Sequence, residues 1–187
     1  SGTVAIDGFE PLAFREDSPG LLAYVPQKPG VVTGSIAENV ALGLAEHERD
    51  EEQIWAALEG AQLADHVRTL ELAIHSDLGS HSDALSGGQI QRLGLARALY
   101  TNPKLIILDE ATSALDAATE ASISGAIQQL GSDTTVIVIA HRLSTIQHAD
   151  IVHVMDQGRV VDSGTFKEVR GRVPMIEEYV KLMSFDD

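Results

Sequence analysis

The sequence predicts an α/β fold built on a parallel sheet, and three observations carry that expectation. Leu105 to Leu108 is an unbroken apolar run, the pattern of a strand covered on both faces of a parallel sheet. Leu21 to Val25 and the β-branched run Thr135 to Ala140 read as further strands, the second of them buried. Between the first and second runs in chain order lies a helix with a glycine-bearing start, Ser86-Gly87-Gly88. It carries apolar residues Ile90, Leu93, Ala96 and Leu99 on one stripe and is stopped by Pro103.

The residues at the ends of these elements are the candidate functional ones. Asp109 and Glu110 follow the Leu105–Leu108 run directly, and open α/β sheets bind ligands at the carboxyl ends of their strands. Ser86 is suited to cap its helix, while Gly87 and Gly88 let backbone N–H groups approach a ligand closely. A helix start of this kind favours anions, because its first N–H groups have no internal partner and the dipole is positive there.

The remaining elements follow in order. Thr3 to Asp7 with Gly8 reads as a short strand and turn. Val25 runs into the restricted loop Pro26-Gln27-Lys28-Pro29-Gly30. Asp50 caps a helix through Ile54, Trp55, Leu58 and Ala61, and Trp55 on that amphipathic pattern reads as core packing. Gly79 to Ala84 is loop-like, and Thr119 to Leu130 is helical with Ala121, Ile123, Ala126, Ile127 and Leu130 inward. His141 follows the Thr135–Ala140 strand. Asp156-Gln157-Gly158-Arg159 is a hairpin turn between Ile151–Met155 and Val160–Val161. The tail from Phe166 to Asp187 reads as an acidic helix.

Composition narrows the function. A formal net charge of −15 over 187 residues excludes a basic, nonspecific nucleic-acid binder, so no nucleic-acid partner is expected. It leaves nucleotide binding open, since backbone N–H groups and one metal ion can hold phosphates. With no cysteine, disulfides and cysteine-ligated metals are ruled out. No apolar run reaches the length of a membrane span. The chain starts without methionine and in mid-pattern, as a piece of something longer would.

LSGGQIQRLGLARALYTNPKLIILDEATSALD, residues 85–116, resembles the signature, Walker B and D-loop segments of ATP-binding-cassette (ABC) ATPases. VPQKPGVVTGSIAENVALG resembles their Q-loop and the following helix, in the manner of exporters, and AHRLSTIQHADIVHVMDQGRVVDSGT resembles their H-loop and closing hairpin. The resemblance covers nearly the whole chain. It implies a P-loop NTPase-like ABC ATPase domain: a mainly parallel sheet flanked by helices, with an inserted α-helical subdomain. Residues 1–34 and 101–187 would form the RecA-like lobe and about 35–100 the helical signature subdomain.

The same resemblance implies the chemistry. ATP and Mg²⁺ are the expected cofactors, with Asp109 and Gln27 toward the metal, since hard cations prefer oxygen ligands. Glu110 would polarise the attacking water, His141 would hydrogen-bond the γ-phosphate, and Gln27 would contact metal and water and signal to a membrane domain. Ser86, Gly87, Gly88 and Gln89 would meet ATP held by a second ATPase domain in a head-to-tail dimer, with Asp116 at that seam. The transmembrane domain of an exporter would be the other partner, placing the chain at the cytoplasmic face of a membrane. At residues 79–82 the sequence reads Gly-Ser-His-Ser where exporters often read Gly-Glu-Arg-Gly, so the acidic residue of that loop is absent.

One family feature is not in the sequence: the phosphate loop G-x-x-x-x-G-K-[ST]. None of the four lysines, Lys28, Lys104, Lys167 and Lys181, follows a glycine. In the family that loop precedes the strand beginning here at Thr3, so the Walker A segment is expected to be supplied elsewhere. Losing roughly three charge-assisted hydrogen bonds at ~1.5–3 kcal/mol each costs about three to six powers of ten in affinity. The chain alone is therefore expected to be inactive. Its Leu105–Leu108 strand is expected to show an unpaired apolar edge that invites association. Two other readings stand beside the exporter ATPase: a non-catalytic partner donating the LSGGQ motif in trans, and a DNA-repair type ABC ATPase. The latter usually carries a long coiled coil, and no heptad tract occurs here.

Overall fold

The structure, a computed structural model, describes residues 2–79, 85–109, 124–125, 127, 133–139 and 146–183. The chain divides into two compact units, Ser1–Ile139 and Ala140–Asp187. Glu110, Asp116, His141, most of the expected 119–130 helix and most of the Gly79–Ala84 loop lie outside the described residues.

In the first unit, Ile6 and Phe9 form an isolated antiparallel bridge around Asp7 and Gly8, both at positive φ, so the expected strand there is reduced to a tight turn. Helix α1 (Pro11–Asp17) leads to strand β1 (Leu22–Val25). After α2 (Ile36–Val40), α3 (Glu51–Gly60), α4 (Ala64–Arg68) and α5 (Gly87–Tyr100) come β2 (Leu105–Asp109) and β3 (Thr135–Ile139).

The sheet runs β1-β2-β3, parallel throughout, with Val25 opposite Leu108 and Asp109 opposite Ile139. This corrects two expectations. The Leu105–Leu108 strand is central and paired along both sides, because the β-branched run of β3 lies against it; the open edges among the described residues belong to β1 and β3. Nor is the sheet buried on both faces. Ala23, Val25, Ile106 and Leu108 face the core, while Tyr24, Ile137 and Ile139 are exposed, since no described element covers that side.

The core lies mainly among the helices, where Ile36, Val40, Ile54, Leu58, Leu63, Val67 and Leu93 are essentially fully buried and join the inner face of β1 and β2. Trp55 packs against this cluster as its amphipathic position predicts, with the Arg68 guanidinium 5.1 Å from its ring centre. Asp50 caps α3 by accepting from the Gln53 N–H.

Helix α5 is tied to the loop after β1 along one side. A Cβ at Gly94 would lie 2.5 Å from Pro29 Cγ, so only glycine allows this approach. One turn on, Arg97 donates to the carbonyls of Asn39 (2.7 Å) and Gly30 (3.0 Å) and to Asn39 Oδ1 (3.2 Å). Burial pulls the Arg97 guanidinium below its ordinary value, yet it stays charged. Asn39 is itself fully buried and donates to the carbonyls of Val32 and Ser35. Its buried amide is thus satisfied, as a buried polar group must be.

The second unit is a hairpin followed by two helices. Strands β4 (Val152–Asp156) and β5 (Arg159–Gly164) pair antiparallel around Gln157 and Gly158, both at positive φ as a primed two-residue turn requires. The expected continuous tail helix is two, α6 (Phe166–Arg172) and α7 (Pro174–Met183). Pro174 cannot supply the N–H that continuation needs, and it starts the second helix instead. Arg172 forks onto Asp162 at 2.9 and 3.1 Å, and this holds the Asp162 carboxyl below the usual carboxylate range.

Three substitutions have expected outcomes. Gly94→Ala should destabilise the first unit by about 1–3 kcal/mol through overpacking. Gly87→Ala, where a Cβ meets nothing within 4 Å, should be neutral or stabilising, and urea unfolding midpoints compare the two. Arg172→Ala should raise the Asp162 titration midpoint, read by NMR. Because that pKa is depressed in the fold, the stability it contributes is present above the ordinary carboxylate range and is lost as pH falls through the folded value.

Candidate functional site

The parallel register of β1 and β2 sets two strand ends side by side. Asp109 is the last residue of β2, and Gln27 stands two residues beyond the end of β1. Such a crevice at carboxyl strand ends is where open α/β sheets bind ligands. Sequence reasoning picked both residues, and the structure brings their segments together.

Asp109 is half-buried, and its Oδ2 accepts a hydrogen bond from the Tyr24 hydroxyl at 2.8 Å. Tyr24 stands opposite Ile107 in the ladder, so Asp109 is its diagonal neighbour on the same face, within reach of an aromatic side chain. This hydrogen bond, with a smaller contribution from desolvation and the Asp109 charge, raises the Tyr24 phenol pKa. Losing the proton would set a phenolate against a carboxylate.

Gln27 is exposed, and its main-chain carbonyl accepts from Gln91 Nε2 at 3.0 Å. Gln91 is buried and comes from α5, so the helix that starts at Ser86 holds the position of the Gln27 backbone. Gln91, Gly94 and Arg97 recur every three residues along one side of α5 and all engage the segment from Gln27 to Asn39. Sequence reasoning missed these three and Tyr24. A polar–glycine–arginine series at helical spacing, beside an apolar stripe, was the signal that could have found them.

At the start of α5 the expected cap is present. Ser86 Oγ accepts from the Gln89 N–H (3.3 Å), and Gln89 Oε1 accepts from the Ser86 N–H (2.7 Å). This reciprocal box occupies the Gln89 side chain in holding the helix start. Ser86 and Gly87 are exposed, and open space lies where a Gly87 side chain would be, so the end of this 14-residue helix is accessible to an anion. Glu110, His141 and Asp116 lie outside the described residues.

The donor set can be weighed for a metal. No cluster of three or more His, Cys, Asp or Glu occurs among the described residues. One aspartate and one amide side chain at adjacent strand ends fit Mg²⁺, which keeps several waters and takes one or two carboxylates with phosphates. They do not fit zinc, which wants three or four nitrogen or sulfur ligands. Among the described residues no helix is long and apolar enough to cross a membrane.

Comparison with known proteins bears on these arrangements. The family model described as "ABC transporter" matches residues 1–113. The ABC multidrug transporter MDR2 of Trichophyton equinum is 42% identical over 187 residues, all of this chain and 14% of that protein. The ABC multidrug transporter atrD of Emericella nidulans is 39% identical over 185 residues, 98% of this chain and 14% of its own length. A solved bacterial Atm1-family ABC exporter with ATP bound superposes with a TM-score of 0.86 at 33% identity, covering 98% of this chain and 32% of that one. The chain thus spans 14% of the length of these curated relatives. With more than half of its residues matched by the family model and the fold shared with an exporter, this chain belongs to the ABC transporter family, as nucleotide-binding-domain sequence of the exporter type.

Proposed function

We propose that this chain is the signature- and Walker B-bearing portion of an exporter ATPase that couples ATP hydrolysis to movement of a substrate across a membrane. The observation that supports this reading is the β1–β2 register, which ends the pairing of the two strands at Val25 and Leu108, just before Gln27 and Asp109, while Gln91 ties the Gln27 backbone to the signature helix. In this reading residues 1–34 and 101–187 make the RecA-like lobe, and about 35–100 the inserted helical subdomain.

Each residue has a distinct task. Asp109, with Gln27, holds Mg²⁺, which when bound neutralises phosphate charge. Glu110, next after Asp109, orients the attacking water and draws its proton. His141 donates a hydrogen bond to the γ-phosphate. Positioning and charge stabilisation of this kind supply most of the catalysis of phosphoryl transfer. Ser86, Gly87, Gly88 and Gln89 present helix-start donors to ATP bound by a second ATPase domain, and Asp116 lies at the same seam. The α- and β-phosphates need a phosphate loop from another segment, because no G-x-x-x-x-G-K-[ST] occurs in these residues. The partners are that segment, a second ATPase domain and an exporter's transmembrane domain, which holds the chain at the cytoplasmic membrane face.

A second reading, a non-catalytic donor of the signature motif in trans, is favoured by one observation: a capped signature helix whose start is exposed at Ser86 and Gly87. In the full-length protein, Glu110→Gln should lower ATP turnover ~10²- to 10⁴-fold with nucleotide binding retained, as loss of a general base does. Unchanged turnover in Glu110→Gln, together with loss in Ser86→Arg, would favour the donor reading. By itself the 187-residue chain should show no saturable Mg-ATP binding in the micromolar range by calorimetry; tight binding would place the nucleotide elsewhere.

A further inference from the structure

We propose that Tyr24 is a positioning residue for the metal site: its hydroxyl fixes the plane of the Asp109 carboxylate so that the other oxygen is presented to the cation. This rests on the reading of Asp109 as the metal-holding carboxylate. The geometry is direct, with Tyr24 Oη 2.8 Å from Asp109 Oδ2 across adjacent parallel strands.

Burial does not account for the tyrosine. Its neighbours Ala23 and Val25 face the core, whereas Tyr24 is 56% exposed on the opposite face. What the position supplies is a hydroxyl at a set height above the sheet. The donor is also held firmly: Ala23 and Val25 on either side are in register with Ile106 and Leu108. Donor and carboxylate therefore sit on one rigid ladder, and the Gln27 segment leaves the same strand three residues after Tyr24.

The chemistry of a phenol suits this task better than that of a cation. A lysine or arginine against Asp109 would orient the carboxylate but cancel the charge that attracts a divalent ion. A neutral O–H orients it and leaves the negative charge in place. Without the hydroxyl, a carboxylate at a strand end rotates freely about its last torsion, which is broad for aspartate, and the metal must select one orientation. Partners that orient a metal-binding carboxylate typically account for ~10- to 100-fold in metal affinity, and the exposure of Tyr24 puts it at about tenfold.

The test uses the full-length protein with a non-hydrolysable ATP analogue, titrating Mn²⁺ and reading the free ion by electron paramagnetic resonance. Tyr24→Phe, which keeps the ring and the strand, is expected to weaken Mn²⁺ binding about tenfold. Its thermal midpoint should be unchanged, as should its affinity for the analogue measured without metal. In steady state, the Mg²⁺ concentration for half-maximal turnover should rise by a similar factor while kcat at saturating Mg²⁺ recovers. Wild-type Mn²⁺ affinity in Tyr24→Phe, alongside clear loss in Asp109→Asn, would overturn the proposal and leave an ordinary surface hydrogen bond. Wild-type Mn²⁺ affinity in Asp109→Asn would instead overturn the underlying assignment of Asp109, and the proposal with it.

Discussion

The close approach of α5 to the loop after β1 is the constraint on which the rest of this arrangement depends. Gly94 lets the helix backbone meet the Pro29 ring, and that contact brings Gln91 within reach of the Gln27 carbonyl and Arg97 within reach of Gly30 and Asn39. Because Arg97 donates to amide oxygens, it fastens the helix without carboxylate partners. The bonds are directional, so α5 cannot slide along its axis without carrying the loop or breaking them. The capped start of α5 and the backbone of Gln27 are thereby parts of one mechanical piece.

That piece stands on an uneven foundation. The large, fully buried side chains sit mostly in α2–α5, whereas the sheet has, among the described residues, three strands and one exposed face. A small sheet gains independent stability by packing against helices. Here it does so through Ala23, Val25, Ile106 and Leu108. Asp109 thus depends on a helical core to which its own side chain does not belong. The antiparallel hairpin with α6 and α7 has a separate stabilising set, with Val154, Val169 and Val180 buried and the Arg172–Asp162 fork outside.

What was legible in the sequence follows from the range of each interaction. The caps at Ser86 and Asp50 are local, fixed by a side chain and an N–H three residues away, and both were readable. Asp109 was readable as a strand end because an apolar run ending in an acid marks one, and Gln27 stood out only through the resemblance of its loop to the Q-loop of ABC ATPases. Tyr24 was not, since an aromatic residue in an apolar strand reads as core; only the register with β2 turns it toward Asp109. The pairing order of the strands is likewise non-local. Leu105–Leu108 looks the same at an edge or in the centre, and β3 decides the matter from some thirty residues downstream.

Net charge sharpens the view of how such a site would hold a nucleotide. A chain with formal charge −15 repels a polyphosphate at long range, so attraction must be local. The described residues offer two local devices of opposite kind. At the start of α5, Ser86 and Gly87 are exposed, and the positive end of the helix dipole there would attract phosphate directly. At the β2 end, a carboxylate such as Asp109 would meet phosphate only through an intervening cation. A hydrogen bond that orients Asp109 without discharging it preserves that requirement, so under the proposed function the strand end would favour a metal-bound nucleotide over the free polyanion, while the helix start would meet the phosphate of a nucleotide held by the second domain.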